Sequence, residues 1–130
     1  MGPDEHEAVC SVERTAVPLV AARNVRLALS PRSPGMAAIA VALVCELLDR
    51  FARALGADAP VALVIEPRLY GCHVRMRAEP PSTDPDLVPH DMAALLLKRL
   101  AYDWGYGAHA HDVWFDLLRA QAADDDLTGA

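Results

Sequence analysis

The sequence predicts an α/β two-layer sandwich, with a mixed, mostly antiparallel sheet and helices on one face. Three observations predict it. One stretch has apolar residues at three- and four-residue steps, pairs of short apolar or alternating stretches are joined by turns, and the segments follow in the order strand, helix, hairpin, loop, helix, hairpin. At 130 residues with 53% hydrophobic side chains, the chain is long enough to bury one core, with little room for a second. Residues 1–20 are expected to be a flexible or partly ordered N-terminal segment, 21–120 a single domain and 121–130 an acidic tail containing Asp124, Asp125 and Asp126.

Within the domain, Asn24 to Ser30 alternates polar and apolar side chains, as a strand with one buried face does, and Pro31 to Gly35 breaks it. Apolar side chains at Met36, Ile39, Ala40, Leu43, Val44, Leu47, Leu48, Phe51 and Leu55 then trace one face of a long helix, capped by Gly56. Val61 to Ile65 is a short apolar run suited to a buried strand. A turn at Arg68 to Gly71 leads into a partner strand, Cys72 to Ala78, with Cys72, Val74 and Met76 inward. Residues 79–89, with four prolines, form a loop. His90 or Asp91 caps the next helix, whose apolar side includes Met92, Leu95, Leu96 and Leu100. Strands around Trp104 to Ala108 and His111 to Leu118 close the pattern.

A formal net charge of −6 argues against nucleic acid or an anionic membrane surface as partner and favours a basic protein or a cationic patch. Lys98 is the single lysine among twelve basic residues, and alanine is abundant, a bias that fits a GC-rich genome. Cys10, Cys45 and Cys72 are odd in number and widely spaced, and read as reduced thiols in place of a disulfide frame or zinc site. The acidic start, Asp4, Glu5 and Glu7, is unlike a secretory signal, and no stretch has the apolar length of a membrane span, so a cytoplasmic protein is expected.

The segment Leu100, Ala101, Tyr102, Asp103, Trp104, Gly105, an apolar helix running into a Trp-Gly turn, precedes a strand centred on Trp114. This resembles the closing part of the histidine-kinase-like ATPase (GHKL) domain, and within that superfamily the small anti-sigma-factor serine kinases. The resemblance covers residues 24–118 and implies a Bergerat-like sandwich.

It also implies a nucleotide pocket, and here the chain departs from the family. The family's Glu-Leu-x-x-Asn helix motif, whose asparagine ligates magnesium, is matched by Glu46, Leu47, Leu48, Asp49 and Arg50. A guanidinium has donors only and a fixed positive charge, so Arg50 cannot ligate a cation. Glu46 and Arg50, four apart, are expected to pair with each other. At the family's Asp-x-Gly-x-Gly, the adenine-reading motif, stands a segment in which Glu79 could imitate the aspartate but Pro80 and Pro81 replace the glycines. At the phosphate-cradling Gly-x-Gly-Leu the glycine positions fall on Asp91 and Ala93, and a carboxylate at Asp91 repels a phosphate.

The remnant pocket, Glu46, Arg50, Glu79, Asp91 and Ala93, is therefore expected to hold no nucleotide, cofactor or metal. The resemblance then implies a non-catalytic regulatory module that binds a protein partner, a sigma factor or an antagonist. Its contact region would be the long helix at Glu46, Asp49, Arg50 and Arg53 together with the 79–91 loop, and a homodimer through the Asn24 to Ser30 strand is a further interaction this reading allows. The alternatives are a divergent ATP-binding serine kinase, or a small-ligand enzyme using Glu46 or Glu79, and an obligate structural subunit. Other chemistry has less support: His109 and His111 lack a third metal ligand, Ser30, Ser33 and Ser82 lack a nucleophile context, and Trp104 with Trp114 could stack a ligand, although aromatic residues at these positions in the fold are usually core.

Overall fold

The sheet begins earlier in the chain than the periodicity predicts. The computed structural model describes residues 11–15, 17–56, 60–78, 92–107 and 112–119, and in it Ser11–Thr15 forms strand β1. This strand lies within the segment assigned from the sequence to the N-terminal extension.

The expected strand at Asn24 to Ser30 is a helix, α1 (Pro18–Leu29). Its buried residues are Ala21, Ala22, Val25 and Leu29, so the inward positions recur every four residues, and Leu27, which completes the apparent two-residue alternation, is 66% exposed. Pro18 in the first turn presets a helical φ at a position whose amide needs no partner. With no strand there, the proposed homodimer edge at residues 24–30 does not exist.

Helix α2 (Pro34–Leu55) follows after a short turn. Ser33 caps it, its buried hydroxyl accepting a hydrogen bond from the Met36 amide at 3.1 Å. Gly56 ends the helix at φ 106°, a conformation that side-chain-bearing residues rarely adopt. The buried side, Met36, Ala40, Leu43, Val44, Leu47, Leu48 and Phe51, is the one the sequence traces, with Ala37 and Arg50 added to it.

Strands β2 (Val61–Arg68) and β3 (Gly71–Ala78) form the expected hairpin. Helix α3 (Met92–Leu100) buries Ala93 and Leu97 four residues apart, while Leu95, expected inward, is largely exposed. Strands β4 (Asp103–Tyr106) and β5 (Asp112–Leu118) complete the sheet. Trp104 and Gly105 are part of β4 and do not form a turn.

Strand order is β1-β2-β3-β5-β4, and every pairing among the described strands is antiparallel, where a mixed sheet was expected. Alternate residues of β2, β3 and β5 (Leu63, Ile65, Cys72, Val74, Met76, Val113, Phe115 and Leu117) join the buried residues of the three helices in one core. Helix α1 lies over β1 and β2, α2 over β3 and β5, and α3 over β4, so the helices share one face of the sheet. No helix among the described residues is long and apolar enough to cross a membrane.

Candidate functional site

Two places bear on function: the α2–α3 side of the core, where the remnant pocket was expected, and the sheet face turned away from the helices.

On the first, α2 packs against α3. Arg50 is only 6% exposed and projects on the same side of α2 as Leu47 and Phe51. It engages in interactions of its own, so its charge is not left bare in the interior. Ala93, also buried, faces the core from α3. Glu46 is half-buried. The expected Glu46–Arg50 ion pair is not made; the four-residue pair on this helix is Asp49 with Arg53, at 3.1 Å and well exposed. The arginine points inward because it follows the buried Leu47 by three residues and the buried Leu43 by seven, which puts it on their side of the helix. Of the surface assigned to partner binding, Asp49 and Arg53 are thus accessible and Arg50 is not. Glu79, Asp91 and the 79–91 loop lie outside the described residues, as do His109 and His111. Among the described residues no cluster of three or more ligating side chains could hold a metal ion.

The second place was not singled out from the sequence, although its signal is there. Because strand residues alternate, the inward set Cys72, Val74, Met76 leaves His73, Arg75 and Arg77 together on the other face. On β5 the same logic groups Asp112, Trp114 and Asp116. The register then fixes their cross-strand neighbours: Glu66, His73 and Asp116 share one row, Val64, Arg75 and Trp114 the next, and Ala62, Arg77 and Asp112 the third.

Three polar pairs lie on this face: Arg68 with Glu66 at 2.9 Å, Arg75 with Asp112 across two rows, and His73 with Asp116 within one. Arg75 makes a two-point contact with Asp112, its Nε donating to Oδ1 at 2.7 Å and its Nη2 to Oδ2 at 2.5 Å. Asp112 is 1% exposed, and its hydrogen bonding holds the Arg75 guanidinium above the ordinary arginine range. His73 donates from Nδ1 to Asp116 Oδ1 at 2.5 Å, with the imidazole stacked on Trp114 at 5.7 Å between centroids. The Trp114 ring in turn lies over Gly105, where a β-carbon would come within 3.1 Å of it. Trp104 is on the opposite face, partly buried and edge-on to Tyr106, so the two tryptophans form no common stacking platform.

A groove of about 390 Å³ runs along this face, floored by Ala62 and Val64 and bordered by Glu66, Arg68, Arg75 and Arg77. At the hairpin end, a second concavity of about 330 Å³ is lined by Leu69, Tyr70, Tyr102 and Leu118, with Arg68 and Asp116 at its margin. The thiols contribute no reactive group. Burial pushes Cys72 up to about 12 and Cys45 also upward, so both stay protonated near neutrality.

The chain matches no protein-family model and no curated protein.

Proposed function

We propose that this chain is a non-catalytic regulatory module, built on a Bergerat-like, histidine-kinase-like ATPase fold, that acts by binding a partner protein. The partner class is that of the anti-sigma-factor kinases it resembles, a sigma factor or an antagonist. The order strand, helix, long helix, hairpin, helix, hairpin on an antiparallel sheet with helices on one face supports the fold assignment.

One observation carries the loss of chemistry. Arg50, at the position of the family's magnesium-binding asparagine, is buried at 6% exposure. A buried guanidinium there supplies positive charge and donors where a cation needs an oxygen ligand.

Calorimetry tests the reading. Titration of ATP with magnesium is expected to give no binding heat up to millimolar nucleotide. Micromolar binding that disappears in Glu46→Ala would overturn it. A nucleotide-binding alternative draws on one observation, that Glu46 is half-buried and not paired with Arg50. In that case Arg50 itself would meet a phosphate, and binding would persist without magnesium.

A further inference from the structure

The outward side of α1 presents exposed apolar side chains and unpaired cations together. Leu19, Val20 and Leu27 are exposed by 82, 40 and 66%, and Arg23 and Arg26 are exposed among them. Resting on the protein-binding reading above, we propose that α1 docks an acidic amphipathic helix of the partner. Aliphatic side chains of that helix pack on Leu19, Val20 and Leu27, and its carboxylates meet Arg23 and Arg26.

The geometry follows from how α1 uses its other side. Ala21, Val25 and Leu29 turn to the core, and Leu19, Arg23, Arg26 and Leu27, at steps of four, three and one, share the opposite side. From Leu19 to Leu27 is eight residues, about 12 Å of helix, so the stripe matches two to three turns of a docked helix. On α2, which packs against α1, the exposed residues between Pro34 and Asp49 are Ala38 and Ala42, both short and uncharged. The helical layer therefore offers a partner helix an apolar surface with no bulky exposed side chain along that part of α2.

Local charge decides the sign of the occupant. Residues 14–45 include four arginines and not one Asp or Glu, in a chain whose net charge is −6. The fold leaves these cations uncompensated. Arg68 and Arg75 are taken by Glu66 and Asp112, whereas Arg23, Arg26 and Arg32 make no ion pair among the described residues. Of the first acids to follow on α2, Glu46 is half-buried and Asp49 is held by Arg53. Beyond about 8–10 Å surface charges are screened at physiological salt, so an occupant of α1 responds to these arginines before the charge of the whole chain. A guanidinium meets a carboxylate at two points, which adds register to attraction. A second copy of α1 would set arginine against arginine. An anionic bilayer takes up a helix whose cations lie away from its apolar side, but here Arg23 stands on the same side as Leu19 and Leu27.

The test is selection of a phage-displayed library of random peptides on the intact protein, followed by affinity measurements on Arg23→Glu/Arg26→Glu and on Leu27→Asp. These side chains are exposed, so both variants should keep the wild-type melting temperature. The expected result is enrichment of sequences with Leu, Ile or Val at three- and four-residue steps and two or more Asp or Glu. Affinity of the selected peptides should fall at least tenfold on each variant, and a fresh selection on the double arginine variant should turn to Lys and Arg. No enrichment, acidic peptides that bind both variants as well as wild type, or a fresh selection that stays acidic would overturn the proposal. Binding to phosphatidylserine vesicles, or dimerisation, that the same substitutions abolish would also overturn it and give the face to a bilayer or a second copy. Peptides retained by both variants but lost on Asp49→Lys would move docking to α2 and leave the protein-binding reading standing. That reading fails separately, by the calorimetry above.

Discussion

Cys72 sits on the helix-facing side of β3, and its protonation reports the integrity of the core. The thiol is ordinarily at 9.0 and in the folded chain at about 12, so unfolding releases a proton between those values. The stabilisation is complete below pH 9.0 and is lost as pH rises through about 12, at no more than about 1.4 kcal/mol per pH unit. Urea denaturation across this range should show that slope in the wild type and a shallower one in Cys72→Ala, with Cys72 unreactive to thiol reagents until the chain unfolds. A different residue carries the order of the open face. Asp112 is 1% exposed and held by a guanidinium whose side chain is 41% exposed. Asp112→Ala should cost about 2 kcal/mol, less than a fully buried pair because Arg75 can regain water. A loss under 0.5 kcal/mol in urea titration would show that the pair contributes little.

Among the elements, α1 is where sequence and structure part. The stretch Asn24 to Leu29 alternates over six residues, too short a window to separate a period of two from one of 3.6. Extending it back to Ala21 recovers the helical spacing of Ala21, Val25 and Leu29, but the exposed Leu27 hides it. The assignment makes an opposed pair of predictions. Leu29→Ala should destabilise by about 2–5 kcal/mol, as core truncations do, and Leu27→Ala by less than about 0.5. Equal losses would indicate the strand alternation. By contrast α2 was legible almost residue by residue, because 22 residues hold many turns of one period. Arg50 is the exception: a helical wheel places it beside Leu43 and Leu47, but a charged residue is ordinarily assigned to the solvent side. Both hairpins were legible too, since alternating strands around turn residues leave few registers. In α3, nine residues with six apolar side chains after Met92 did not determine which would turn inward.

For the molecule as a whole, the layered architecture followed from the order of periodic segments, while β1 did not, because five mixed residues carry no pattern of their own. The helix-free face was implicit in the alternation of β3 and β5 but became visible only once the register set Arg75 beside Asp112 and His73 beside Asp116. The functional account depends on the interior of the α2–α3 layer being occupied by protein in place of nucleotide. The most direct test is an amide-resolved NMR titration of the isotope-labelled chain with a non-hydrolysable ATP analogue and magnesium. The account predicts that the signals of Glu46, Arg50 and Ala93 stay fixed to millimolar ligand. Saturable shifts of those three amides in the micromolar range would contradict it.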